Sequence, residues 1–413
     1  MNDNLPRQET LALLGREQLI KASGSGVRGK FLNQSWFSGL FKWFLDQIIK
    51  DALSNQVELR KITYRSQDAS GQSAILSGLV IAPSAPPDPA GAMLLGFQHG
   101  TQLERRYAPS NFNPGQPLDF IDVLIAALFA MTGYTVAMAD YPGLGVDPGD
   151  HPYINAKPLG VSVADLLAAV QSEQYRRTGI DNRRLGLVGY SEGGYTTMAA
   201  ARELQLNPNY SRTFQIAAAA PLAGSYDLSG TMRRLMLSDQ PYENGYYLPL
   251  TIRGYHAVYG DQYGNGIFTK ERALKPKYRF VYDLVDGNHP AEEVKKYLPP
   301  VPREILSEAM INSLLDSESP VCRALQANDL YNWAPDMPMY LYHHPNDDQV
   351  PFANSVIASN HFVQKGRWVP VVPMFALPLT GSIHGNAAPA CFLASLEWLK
   401  LYKSQAAFLP ESH

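Results

Sequence analysis

The spacing of apolar and polar positions divides the chain into segments of different character. Residues 36–53 place Phe37, Leu40, Phe41, Phe44, Leu45, Ile48 and Ile49 at helical intervals, which predicts an amphipathic helix. The stretch 1–55 therefore reads as an N-terminal helical segment. Residues 57–64 and 74–81 are strand-like, and Asp68-Ala69-Ser70-Gly71 between them carries turn residues. The pair predicts an antiparallel hairpin at a sheet edge. Strands then alternate with helices. The strands are expected at 92–98, 134–139, 184–190 and 215–220, and the helices at 118–131, 162–177 and 192–204. Such alternation builds a mostly parallel sheet with right-handed crossovers and helices on both faces.

The rhythm breaks over 228–335. Aromatics and prolines are frequent there, short helical patterns appear (303–315 is the clearest), and no strand is convincing. This stretch reads as an inserted helical cap. Alternation resumes with a strand at 338–343, a helix at 352–363, a strand at 371–377 and a final helix at 388–402. The expected organisation is an α/β core, 56–227 and 336–413, divided by a cap at 228–335.

Composition narrows the class. The chain has 413 residues, 45% hydrophobic and 18% charged, which suits a soluble globular enzyme with ample core. A net charge of −3 offers no basic surplus for nucleic acid. The apolar run at 123–131 is far short of the about 20 residues that span a bilayer, so no integral membrane segment is expected. Cys322 and Cys391 are too few for a disulfide framework and read as free core thiols, a single bridge being the alternative in an exported chain. The first fifteen residues carry polar and acidic side chains and no apolar core of a signal peptide. The chain as it stands reads as cytoplasmic, or as secreted or periplasmic if a leader was removed.

The strongest chemical signal is Leu185-Gly186-Leu187-Val188-Gly189-Tyr190-Ser191-Glu192-Gly193-Gly194-Tyr195. A hydrophobic strand runs into G-x-S-x-G and a helix-forming stretch follows. The turn this requires is so sharp that the serine is strained, and glycines two positions either side avoid clashes with the crossing chain. Ser191 is thereby the candidate nucleophile, beside a helix N-terminus that favours developing negative charge.

Serine needs a base, and the base needs an orienting acid. His384 follows the last expected strand in Gly381-Ser382-Ile383-His384-Gly385, just before the final helix. The preceding strand ends in His343-His344-Pro345-Asn346-Asp347-Asp348-Gln349-Val350-Pro351, where two aspartates compete. An acid followed by two residues and Val-Pro is the usual spacing, and it selects Asp347 over Asp348. The order Ser, Asp, His is that of the α/β-hydrolases. Two backbone N–H groups should form the oxyanion hole. One belongs to Glu192 and the other to Thr101 in Gln98-His99-Gly100-Thr101, after the 92–98 strand. His99 and Asp140 read as loop-ordering and turn-forming residues. Tyr141 and Tyr190 are equally readable as pocket lining or as core.

Other patterns fail on context. Gly24-Ser25-Gly26-Val27-Arg28-Gly29 matches a dinucleotide fingerprint, but no strand precedes it. His343, His344, Asp347 and Asp348 cluster, yet no second ligand group lies at a supporting spacing, so no metal is expected. The sequons at Asn33 and Asn209 matter only in a eukaryotic secretory context.

With these residues placed, the chain resembles the secretory lipase (lipase A-like) family of α/β-hydrolases and its bacterial esterase relatives. The likeness spans roughly residues 55–405. It rests on Ile62-Thr63-Tyr64-Arg65-Ser66 to Gly78, on Ala139-Asp140-Tyr141-Pro142-Gly143-Leu144-Gly145 followed by His151-Pro152-Tyr153, and on Gly189-Tyr190-Ser191. The long cap and the stretch from His384 to Trp398 complete it. The resemblance implies an α/β-hydrolase fold that cleaves carboxylic esters, acylglycerols among them, beneath a cap over a hydrophobic acyl site. It implies Ser191, Asp347 and His384 as the triad and no cofactor. Three departures turn the expectation from long-chain lipase toward an esterase of short- to medium-chain or bulky esters. Glu192 stands where small or amide side chains are frequent, the oxyanion loop is His-Gly-Thr rather than acidic, and the cysteines of a disulfide-bonded secreted lipase are missing. Tyr242, Tyr246, Tyr247, Leu248, Tyr255 and Tyr259 are expected to line the acyl pocket. A lipase, a serine peptidase or amidase, and a non-catalytic binder are the competing readings.

Overall fold

The computed structural model describes residues 7–15, 56–84, 93–178, 184–378 and 381–404. The strands are β1 (Arg7–Gly15), β2 (Gln56–Gln67), β3 (Ser73–Pro83), β4 (Met93–Gln98), β5 (Tyr134–Ala139), β6 (Arg184–Tyr190), β7 (Gln215–Leu222), β8 (Leu341–His343) and β9 (Val371–Pro373). They form one sheet in the order β1-β2-β3-β5-β4-β6-β7-β8-β9. β1, β2, β3 and β5 pair antiparallel, and every pairing from β5 through β4 to β9 is parallel.

The parallel strands read as unbroken apolar runs because both faces are covered. In β4, Leu94 faces one hydrophobic core while Met93, Leu95 and Phe97 face another. Helices α2 (Ala156–Thr178) and α3 (Glu192–Leu206) close the first core with Leu159, Leu166, Met198 and Leu204. The second core is closed by α1 (Ile121–Met131), and by Phe392, Leu396 and Leu399 of the C-terminal helix Ile383–Ser404. There Phe97 stacks on Phe392 at 5.1 Å and meets Phe129 edge-on at 5.7 Å. Between β7 and β8 the chain leaves the sheet for a run of helices. The longer ones are α4 (Tyr247–Tyr259), α5 (Glu308–Leu315) and α6 (Pro320–Ala327). Among the described residues of this insertion, β-pairing is confined to an isolated bridge between Leu274 and Leu306. Helix α7 (Ala353–Gln364) follows β8, and the helix Ile383–Ser404, here α8, ends the described chain.

Several expectations are corrected. The N-terminal stretch is not wholly helical, since β1 pairs with β2 and removes the hairpin from the sheet edge. A register shift between Thr10 and Ala12 breaks the alternation of β1, which hides it from a period-2 reading. The helix expected at 36–53 and the glycine pattern at 24–29 lie outside the described residues. α2 begins at Ala156, well before 162, with Pro158 in its first turn and the Ala156 amide donating to Asn328 Oδ1 at 2.8 Å. The expected strands 338–343 and 371–377 shrink to three residues each. The 303–315 helix divides into a 3₁₀ turn, Pro302–Ile305, and α5. Both cysteines are free and buried. Among the described residues no helix is long and apolar enough to cross a membrane.

The contact between α3 and the sheet is testable at Gly194, where a Cβ would sit 2.1 Å from the Leu222 carbonyl oxygen of β7. That neighbour is backbone and cannot swing aside. Gly194→Ala is expected to cost about 2–4 kcal/mol, read as a lower midpoint in urea unfolding. An unchanged midpoint would show the contact to be loose.

Candidate active site

Ser191 occupies the single residue between β6 and α3, with φ 62° and ψ −121°. This region of backbone space is nearly reserved for glycine and costs a serine of order 1–3 kcal/mol. The surrounding chain holds it there. The Ser191 amide donates to Leu222 O at 2.9 Å, and Ser191 O accepts from the Tyr195 amide at 3.0 Å. A Cβ on Gly193 would lie 2.0 Å from Gln98 O and 2.8 Å from His99 O, so the first turn of α3 rests directly on the loop after β4. That contact sets the start of the Gln98-His99-Gly100-Thr101 loop beside the residue two positions after Ser191. Thr101 itself is half-buried, and its hydroxyl donates to Tyr153 Oη at 3.3 Å.

His384 lies in the first turn of α8, and Nδ1 is 2.6 Å from Asp347 Oδ2. The Asp347 side chain is fully buried. Its Oδ1 accepts from the amides of Gln349 (2.9 Å) and Val350 (2.8 Å). A further partner is His343, whose Nε2 is 3.3 Å from Oδ2. Nε2 of His343 also faces Val350 O at 2.9 Å, and Nδ1 faces Ser355 Oγ at 2.8 Å. A carbonyl only accepts, so His343 carries its proton on Nε2. Burial alone would raise the Asp347 pKa. Hydrogen bonds from His343 and His384 and the charge they can carry outweigh it, and the carboxyl is held well below the usual range.

The competition between the two aspartates resolves into a division of labour. Asp348 accepts from the amides of Ile383 (Oδ2, 2.9 Å) and His384 (Oδ1, 3.0 Å). It therefore satisfies orphan donors at the start of α8 and fixes the backbone that carries the histidine. This capping also explains why α8 begins at Ile383 and not at 388. Tyr190 secures the same histidine from β6, its hydroxyl donating to His384 O at 2.6 Å. His384 Nε2 is shut off from solvent and has no hydrogen-bond partner among the described residues.

The roles of His343, Asp348 and Tyr190 escaped the sequence reading, because Asp348 and Tyr190 act on His384, distant in the chain, and His343 acts through the path of the loop that follows it. Asp140, expected to form the turn, instead ties two distant segments to the end of β5, its carboxylate accepting from Ser77 Oγ (2.5 Å) and the Ser110 amide (2.8 Å). His99 orders its loop, with Nδ1 2.7 Å from Gly100 O and its ring stacked on Tyr141 at 4.1 Å. Tyr141 and Tyr190 are both buried core residues.

A cleft of about 640 Å³, partly open to solvent, reaches Ser191 and Glu192. Met232, Leu235, Met236, Tyr242, Tyr247 and Leu248 line its far side. Of the six residues expected there, Tyr242, Tyr247 and Leu248 take part. Tyr255 and Tyr259 pack on Phe268 within the insertion instead, and Tyr246 packs on Tyr247.

Among solved structures, a Legionella pneumophila protein described as a hydrolase superposes over 98% of this chain and 99% of its own, with TM-score 0.78 and 24% identity. The rice cell wall degrading esterase LipA of Xanthomonas oryzae matches over 97% of both chains, with TM-score 0.73 and 23% identity. The fold is that of the α/β-hydrolases. Candida antarctica lipase A in its closed state matches more distantly, at 16% identity and TM-score 0.66 over 86% of this chain and 79% of its own. The prolyl oligopeptidase family matches residues 121–249, which includes the α/β-hydrolase elbow at Ser191. No curated protein matches the chain.

The strain at Ser191 can be measured. Glycine tolerates φ 62° without strain, although it makes the unfolded chain more flexible. Ser191→Gly is expected to raise stability by about 1 kcal/mol, read as a higher thermal midpoint. A lower midpoint would show that Ser191 is not strained.

Proposed function

We propose that the protein is a serine hydrolase that cleaves carboxylic esters through an acyl-enzyme, with Ser191, His384 and Asp347 as its triad. The observation that carries this reading is the 2.6 Å bond from His384 Nδ1 to buried Asp347, which leaves Nε2 without a partner. That ring nitrogen is free to take the Ser191 proton as the oxygen attacks an ester carbonyl. Nδ1–H stays with Asp347, which stabilises the imidazolium. The amides of Glu192 and Thr101 hold the tetrahedral oxyanion. His384 returns the proton to the departing alcohol and then activates water to release the acid.

The apolar lining of the cleft supports an uncharged acyl group of short to medium length, or a bulky one. The helical stretch 228–335 is read as a cap over this site, dividing the core into 56–227 and 336–413. Amide hydrolysis is the second reading, and the match to the prolyl oligopeptidase family favours it. The same triad would serve, with an amine as leaving group. Neither reading calls for a cofactor.

Ser191→Ala and His384→Ala are each expected to lower kcat on nitrophenyl butyrate by about a thousandfold or more, and Asp347→Asn by a similar order. A fluorophosphonate probe should label Ser191 in the folded wild type and nowhere in Ser191→Ala. A folded wild type that takes no label would sink the proposal. Nitrophenyl esters of rising acyl length, run beside peptide nitroanilides, separate the two readings. Turnover of the anilides with inert esters would favour the peptidase.

A further inference from the structure

Two residues singled out by the sequence, His151 and Glu192, have no part in the triad, yet the fold brings them together beside Ser191. His151 Nε2 is 2.6 Å from Glu192 Oε1, with side chains 6% and 0% exposed. The other ring nitrogen, Nδ1, is 3.0 Å from Pro142 O. A carbonyl oxygen can only accept, so Nδ1 carries a proton. Nε2 then either carries a second proton toward a carboxylate or accepts one from a carboxylic acid. In both forms the pair as a whole is neutral. Burial alone would lower the His151 pKa. The charge of Glu192 and the bonds to Glu192 and Pro142 outweigh it, and the pKa is raised. That direction favours the form of the pair with the proton on His151.

Glu192 is the first residue of α3, and in the reading above its own amide holds the oxyanion. A bare carboxylate on that residue would oppose the negative charge its amide is there to receive. Among the described residues, Glu192 Oε2 has no hydrogen-bond partner, so the compensation comes through Oε1. We propose that His151 is a positioning residue that neutralises Glu192 and so preserves the oxyanion-stabilising field at the start of α3. The proposal rests on the assignment of Ser191 as nucleophile. It also gives the acidic residue after Ser191 a cause, because Glu192 and His151 form one unit.

Among the described residues, no other charged group is in contact with the carboxylate. Tyr141, Tyr153, Tyr195 and Tyr247 face Glu192, and burial pushes all four hydroxyls up, Tyr247 to about 12, so they stay neutral. On the Pro142 side, Asp147 accepts from the Gly143 amide at 2.7 Å and Arg105 donates to Gly143 O at 3.0 Å. Asp150 is paired with Arg253 at 2.7 Å.

The test is a double-mutant cycle read on nitrophenyl butyrate. His151→Gln keeps a donor but loses the charge, and kcat should fall roughly 10- to 100-fold with KM little changed. Adding Glu192→Gln removes the charge left behind and should recover most of that loss. A simple structural tether predicts a double variant no better than His151→Gln, and that result would overturn the proposal. In the wild type the rate should fall on the alkaline side as His151 loses its proton, and this limb should be absent from Glu192→Gln. An identical limb in both would count equally against it. Should His151→Gln fail to fold, the ring resonances of His151 decide. They should titrate at lower pH in Glu192→Gln than in the wild type, and equal titration overturns the pairing. An inactive, unlabelled wild type would instead sink the assignment of Ser191, and this inference with it.

Discussion

The close approach of three chain segments around Ser191 is the constraint on which the rest of the site depends. β6 must turn into α3 within one residue while the loop after β4 and the end of β7 pass against the turn. Gly189, Gly193 and Gly194 have no room for a Cβ, which would meet the carbonyls of Gln98 or Leu222 at 2.0–2.6 Å. Only glycine permits that contact, which together with the hydrogen bonds of Ser191 to Leu222 and Tyr195 holds the serine at positive φ. The same packing sets the first turn of α3 directly against the backbone of Gln98 and His99. The strained serine and the position of the loop after β4 are two results of one steric fact. Stability given up at Ser191 is offset by the two cores that clamp the sheet from either face.

A second constraint is electrostatic. The site gathers three carboxylates, of which the side chains of Asp347 and Glu192 are buried while Asp348 is exposed. An uncompensated buried charge would cost about 3–5 kcal/mol. Each is met by a different device. Asp347 takes two backbone amides and two histidines. Asp348 takes the first amides of α8. Glu192 takes a single imidazole. The three devices differ in what disturbs them. Backbone amides keep their protons at any ordinary pH, whereas an imidazole does not, so Glu192, which among the described residues has no side-chain partner but His151, is the carboxylate whose balance rests on an imidazole alone.

The legible parts of the molecule were those set by local pattern. The parallel strands read as apolar runs because both faces are buried, and the elbow read as glycines because backbone crosses backbone there. His384 and Asp347 were legible from their order along the chain, and the geometry joins them. What was hidden depends on partners distant in sequence. β1 carries a bulge that spoils its alternation. The true start of α2 depends on Asn328, and that of α8 on Asp348. His343 read as a strand end, and its hydrogen bonds to Val350, Ser355 and Asp347 follow only from the path of the loop after β8.

The apolar wall of the cleft shows the same division. Aromatic content pointed to Tyr255 and Tyr259, but these are fully engaged with Phe268 inside the insertion. Met232, Leu235 and Met236 line the cleft in their place, just after the chain leaves the sheet. That crossing is tightly fastened. Leu330 N donates to Tyr226 O at 3.0 Å. Asp329 Oδ1 accepts from the amides of Leu228 (2.8 Å) and Ser229 (3.0 Å), and the Asp227 side chain accepts from the Thr231 amide at 2.7 Å. The outgoing and returning strands of the insertion are thus tied to each other where they meet the core. Residues a few positions beyond such a tie inherit its rigidity, while helices farther out answer mainly to their own packing. The methionines are flexible side chains on a fixed backbone. The lining of the cleft can therefore adapt in shape without moving Ser191, and variation in the outer helices should alter its mouth more than its floor.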